Sequence, residues 1–129
     1  PHAFSYSADI AVAWLPGTRN LVQCLREARP TPDTWAALGD AIRQLHARQI
    51  FHADLNAHNL LLDTQGQAWV VDFDKCERRP GDEWKATNLA RLLRSLRKEA
   101  KREPVFHWHE DDWALLNKAY RTHREPEST

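Results

Sequence analysis

The sequence predicts an α+β domain, mainly α. Apolar residues recur at helical spacing in three segments: Trp35, Leu38, Ile42 and Leu45; Leu89, Leu92, Leu93 and Leu96; and Trp113, Leu116 and Tyr120. Two short apolar runs, 60–63 and 68–71, flank Thr64-Gln65-Gly66-Gln67, a β-hairpin signature in which Gly66 supplies the turn conformation. At 129 residues and 15.0 kDa, the chain is long enough for one domain with a modest core and too short for two.

Composition narrows the functional classes. Hydrophobic content of 42%, charged content of 28% and a mean hydropathy of -0.69 suit a soluble globular protein. Lys+Arg and Asp+Glu balance at 18 each, so net charge argues neither for nor against nucleic acid. The six Trp lack the basic interleaving of a nucleic-acid platform and read as core material. Apolar runs are a few residues long, against the roughly 20 needed to cross a bilayer. The start PHAFSYSADI has no basic region followed by an apolar one, so the chain reads as cytoplasmic. Cys24 and Cys76 are far apart without CxxC spacing and are expected as reduced thiols.

In chain order, 8–14 (ADIAVAW) reads as a strand that Leu15-Pro16-Gly17 turns into a connector. Leu21, Val22 and Leu25 suggest a short helix ended by Pro30 and Pro32. Thr31 as N-cap, Pro32 at the first helical position and Asp33 in the first turn announce a helix running to about Arg48. An irregular segment, 52–59, precedes the hairpin. A helix is expected from about Asp82, with Lys85, Arg91, Arg94, Arg97, Lys98, Lys101 and Arg102 mostly on a solvated face. The last helix is expected over 110–123, and the tail 125–129 looks frayed. HWHEDD, 107–112, admits a metal cluster through His107 and His109, but its acidic residues suit a helix N-terminus better.

The chemistry concentrates in 51–75, FHADLNAHNLLLDTQGQAWVVDFDK. Phosphoryl transfer from ATP needs a carboxylate to orient and accept the proton of the attacking hydroxyl, and oxygen ligands for Mg²⁺ beside the phosphates. The order HxDxxxxN, a hairpin, then DF supplies them: Asp54 as base, Asn59 and Asp72 as metal ligands. Asp54 and Asn59 share one loop, and the hairpin returns Asp72 to face Asn59. Asp63, at the hairpin, reads instead as a turn former.

HADLNAHNLLLD with VVDFDK resembles the catalytic loop and metal-binding segment of the protein-kinase-like superfamily, most closely the bacterial lipopolysaccharide-core kinases and, among these, the 3-deoxy-D-manno-octulosonic acid (Kdo) kinases. The resemblance implies a kinase C-terminal lobe: 1–17 as hinge and its strand, 31–48 as a helix, 51–75 as the catalytic and metal-binding segment, and 82–124 as C-terminal helices. It implies that Asp54 is the catalytic aspartate, Asn59 and Asp72 bind Mg²⁺, and His52 braces the loop. Ala13 and Leu15 of the hinge and Leu61 beneath the ring would meet the adenine of ATP. The implied acceptor is a Kdo residue of a lipid A-type glycolipid, phosphorylated on its 4-hydroxyl. That substrate would hold the protein peripherally at the cytoplasmic face of the inner membrane.

Departures from the protein-kinase pattern refine the expectation. Ala53 replaces the arginine that reads an activation-loop phosphate, Asn56 stands where many protein kinases carry lysine, and Asp74 replaces the glycine of DFG. No Ser, Thr or Tyr occurs over 65–86, which leaves nothing to phosphorylate and little chain for a peptide platform. A compact acceptor pocket follows, with Asn56, His58, Lys75, Arg78 and Arg79 as candidate acceptor contacts. The superfamily's glycine-rich loop and strand lysine have no counterpart before the hinge, so this chain by itself is expected to bind ATP weakly and transfer phosphate poorly. Two alternatives stay open: another small-molecule phosphotransferase of aminoglycoside type or an atypical protein kinase, and a non-catalytic kinase-like binding module.

Overall fold

The computed structural model describes residues 17–122. The expected strand at 8–14, the hinge with Ala13 and Leu15, and the tail 125–129 lie outside these residues. Four α-helices and five short strands are described. They are β1 (Arg19–Asn20), α1 (Leu21–Glu27), α2 (Pro32–Ala47), β2 (Ile50–His52), β3 (Leu60–Leu62), β4 (Ala68–Val70), β5 (Cys76–Arg78), α3 (Lys85–Arg102) and α4 (Glu110–Arg121). Short 3-10 turns, Ala57–Asn59 and Phe73–Lys75, interrupt the functional segment.

Local chemistry sets the helix starts. Asn20 and Gln23 form a capping box on α1: Asn20 Oδ1 accepts from the Gln23 amide at 2.9 Å and Gln23 Oε1 accepts from the Asn20 amide at 3.0 Å. Thr31 caps α2 and Pro32 occupies its first turn, as the sequence predicts. The acidic start of α4 is also a cap. Asp112 Oδ2 accepts from the His109 amide at 2.9 Å while Asp112 Oδ1 accepts from Arg29 at 3.1 Å. Among the described residues no group of three or more His, Cys, Asp and Glu is placed to hold a metal ion. α3 begins at Lys85 rather than Asp82, because 82–84 form a turn in which the Trp84 indole donates to the Pro80 carbonyl at 3.1 Å.

All pairings are antiparallel: β1-β3-β4 make one small sheet and β2-β5 a separate ribbon. The hairpin forms as expected, with Leu60 opposite Val70 and Gly66 at a φ of 80°. Asp63 closes its loop, accepting from the amides of Gln65 and Gln67 and from the Trp69 indole. Burial pushes the Asp63 carboxyl up, but these three donors outweigh it and hold the group below its ordinary value.

The core lies between the helices and the three-stranded sheet. Trp35, Leu38, Ile42 and Leu45 of α2 are fully buried, and meet Leu21 and Leu25 of α1, Leu92 and Leu96 of α3, and Leu116 of α4. α2 and α4 approach so closely that a Cβ on Gly39 would overlap the Leu116 carbonyl oxygen and lie 3.1 Å from the Ala119 Cβ. Among the described residues no helix is long and apolar enough to cross a membrane.

Candidate active site

The loop that carries Asp54 is fixed from below by one buried side chain. Asn88, on the inner face of α3, donates through Nδ2 to the His52 carbonyl at 2.7 Å, and its Oδ1 accepts from the His52 amide at 3.2 Å. The same Oδ1 accepts from His46 Nε2 at 3.0 Å, so the proton of that imidazole sits on Nε2. His46 Nδ1 is then the acceptor for the Tyr120 hydroxyl at 2.6 Å. A polar chain therefore runs through the core from α4 to the loop, with His46 only 1% and Asn88 1% exposed. Desolvation pushes the His46 imidazole down from 6.5 to about 4, against the pull of its Asn88 hydrogen bond, and the nearby Lys85 charge pushes the same way as burial.

His52 passes this order on. Its Nδ1 accepts from the Asp54 amide at 3.1 Å, which leaves the proton on Nε2 to donate to the Val71 carbonyl at 2.8 Å. One fully buried imidazole thus ties the loop that carries Asp54 to the strand end that precedes Asp72. The Ala53 amide adds a second tie, donating to the Lys75 carbonyl at 2.8 Å.

Asn59 and Asp72 meet at the base of the hairpin. The Val71 amide donates to the Asn59 carbonyl at 3.0 Å, one step beyond the Leu60–Val70 pair. Asn59 Nδ2 donates to the Asp54 carbonyl at 2.6 Å, and among the described residues no hydrogen bond occupies Asn59 Oδ1. Asp72 has a φ of 72° and ψ of 51°, a left-handed conformation uncommon for a residue with a side chain and found most often where function holds it. Its carboxyl shares a hydrogen bond with Asp74 that raises Asp72 and lowers Asp74 from their ordinary values; burial and the Asp74 charge raise Asp72 further, whereas at Asp74 burial opposes the lowering. Two paired acids, with an amide oxygen carried on the facing strand end, are donor types that suit a hard divalent cation. Mg²⁺ takes one or two protein carboxylates and completes its shell with phosphates and water.

Asp54 opens onto solvent. Its Oδ1 accepts from Asn56 Nδ2 at 3.1 Å and lies 3.5 Å from Arg91 Nη2. Asp54, Asn56 and His58 form one wall of a cleft of about 440 Å³, and the outward face of α3 forms the other. His58 Nε2 is 3.1 Å from Glu99 Oε2, and Ser95 Oγ accepts from the Ala57 amide at 2.8 Å, so α3 holds the loop from this side as well.

The sequence-derived acceptor candidates divide. Asn56 and His58 line the cleft; Lys75, Arg78 and Arg79 do not. Lys75 closes the 3-10 turn after Asp72, and Arg78 and Arg79 lie along the β2-β5 ribbon away from Asp54, where Ile50 pairs with Arg78 and the Arg79 amide donates to the Gln49 carbonyl. The Arg79 guanidinium stacks 3.7 Å from the Phe51 ring centre and pairs with Glu77 at 2.7 Å. Leu61 is half-buried in β3 opposite Trp69.

Sequence reading missed Asn88, Ser95 and Glu99 as supports of the loop. Their signal was present: 88, 92, 95 and 99 share one helical face, so three polar residues interrupt an apolar stripe. A polar side chain on a buried face needs a partner.

A model of the lipopolysaccharide kinase (Kdo/WaaP) family matches residues 2–120. The chain belongs to this family. Among its relatives, the protein named 3-deoxy-D-manno-octulosonic acid kinase in Photobacterium profundum is 39% identical over 119 residues, covering 92% of this chain and 50% of that protein. The protein of the same name from Actinobacillus succinogenes is 44% identical over 119 residues, covering 90% of this chain and 49% of the relative. The chain spans about half the length of the curated relatives it matches. A solved structure of a divergent kinase lacking the glycine-rich loop, which regulates membrane ultrastructure of the Toxoplasma parasitophorous vacuole, superposes with a TM-score of 0.54 at 14% identity. The match covers 95% of this chain and 57% of that one, and the family's fold here is accordingly kinase-like.

Proposed function

We propose that the whole protein is an ATP-dependent kinase that phosphorylates the 4-hydroxyl of Kdo on a lipid A-type glycolipid. The observation that carries this is the convergence of Asp54, Asn59 and Asp72 through His52, in a chain whose relatives are named Kdo kinases.

Asp54 orients the acceptor hydroxyl and takes its proton as the oxygen attacks the γ-phosphorus. The bond from phosphorus to the ADP oxygen breaks and the electron pair leaves with ADP. Asn59 Oδ1 and the Asp72 carboxylate would hold Mg²⁺, which when bound neutralises phosphate charge. Asn56 keeps Asp54 in place, and the buried strands beneath keep loop and hairpin in register. Leu61, with the hinge residues Ala13 and Leu15, is assigned to the adenine side. The acceptor is a glycolipid, so the protein works peripherally at the cytoplasmic face of the inner membrane.

The test offers the whole protein labelled ATP with Kdo-lipid A, aminoglycosides and unrelated proteins in parallel. Label on the Kdo glycolipid alone is expected. Preferential label on an aminoglycoside or a protein would reassign the acceptor, and label on none of the three would make the domain a binding module.

A further inference from the structure

The charge on α3 is divided between two uses. Lys85 is matched by Asp82 at 2.7 Å and Gln49 at 2.8 Å, and Arg97 by Glu110 at 2.9 Å. Arg91, Arg94, Lys98 and Arg102 follow spacings of three, four and four, which places them on one face about 16 Å long at 1.5 Å per residue. This is the face that forms the cleft wall opposite Asp54. The four cations are exposed, as the sequence expectation of a solvated basic face has it, and the same face also borders the loop that carries Asp54.

Only two carboxylates line the cleft. Arg91 lies 3.5 Å from Asp54, and Arg102 lies 3.7 Å from Glu99, which His58 already contacts. Four cations against two carboxylates leave two positive charges, and among the described residues Arg94 and Lys98 have no ion-pair partner. Like charges at these spacings oppose one another along a bare helix. Packing does not require them either, because the buried face of α3 is made by Leu89, Leu92 and Leu96. An excess of guanidinium and ammonium groups in a concave site is what binds an anion. That anion is not the nucleotide's phosphate chain, since Asn59 and Asp72 are not among the lining residues whereas Asp54 and Asn56 are.

We propose that this cleft is the anion subsite for the phosphoryl acceptor: Arg94 and Lys98 grip a carboxylate or phosphate substituent of the sugar whose hydroxyl lies at Asp54. The assignment rests on the phosphotransfer reading above and adds the chemistry that selects the acceptor. Arg91 sits between the two functions, beside Asp54 and at the near end of the cation row.

The test is Arg94→Gln with Lys98→Gln in the whole protein. With Kdo-lipid A in neutral detergent micelles, the acceptor KM is expected to rise about ten-fold or more while kcat and the KM for ATP stay within about two-fold. Arg94→Lys with Lys98→Arg, which keeps the charge, should restore most of the loss and show that folding is not at issue. Free Kdo titrated by NMR without nucleotide should bind the wild type, and bind the double Gln variant about ten-fold more weakly. Unchanged acceptor KM with unchanged Kdo binding overturns the proposal. So does a variant that loses only its binding to phosphatidylglycerol vesicles, which would make the face a membrane contact. If the wild type transfers no phosphate, the phosphotransfer reading falls, and the Kdo titration still decides the subsite.

Discussion

His46 and Asn88 show how a single buried contact reaches the loop that carries Asp54. His46 is a neutral imidazole locked between a hydroxyl donor and an amide oxygen, and Asn88 holds both backbone groups of His52. This arrangement has a pH signature. The unfolded imidazole gains its proton near 6.5, whereas the folded one resists to about 4, so between those values the unfolded chain holds the extra proton. Its contribution to stability is complete above pH 6.5 and is lost as pH falls towards 4, by about 3 kcal/mol at most. NMR titration of the His46 ring in the whole protein should therefore show no protonation at pH 6, and urea midpoints should fall between pH 7 and pH 4.5. A ring that titrates near 6.5 would remove both expectations. At this scale order and spacing single out Asp54, Asn59 and Asp72, and the structure ties the segments that carry them together through His52 and Asn59. The sequence was silent on His46, because nothing local says that residue 46 meets residues 88 and 120.

The elements divide in the same way. The capped helix 32–47 and the hairpin around Gly66 were readable because their signals are local: Thr31 and Pro32 at one end, and a turn glycine between apolar runs at the other. The start of α3 was misplaced by three residues because the Trp84 indole diverts the chain into a turn first. The subsite proposed on its solvated basic face has no signal of its own in the sequence, for a different reason. A row of cations on a helix is the same pattern whether solvent or a catalytic loop stands opposite. The α2-α4 contact was also unreadable, yet it makes a sharp prediction. Gly39→Ala would gain up to about 1 kcal/mol of helix propensity, but its methyl meets the backbone oxygen of Leu116, which has no rotamer to yield. Overpacking should win, with a net loss of about 1–3 kcal/mol measured by chemical denaturation. A variant as stable as wild type would mean that α2 and α4 separate without cost.

At the scale of the described residues, one continuous segment, 51–75, carries the residues assigned to the chemistry, and the elements around it hold it in place. α2 and α4 pack beneath, α3 flanks the loop through Asn88, Ser95 and Glu99, and the hairpin sets Asn59 against the chain entering Asp72. The division explains why a kinase-like fold persists at 14% identity to a solved structure, since most of the fold is packing that many apolar residues satisfy. It also makes Asp54 the residue on which the functional reading turns. Asp54→Ala in the whole protein, assayed with ATP and Kdo-lipid A, should lower kcat by about 10²–10⁴-fold while nucleotide affinity stays near wild type. Activity within a few-fold of wild type would contradict the assignment of Asp54 as the base of a phosphotransferase.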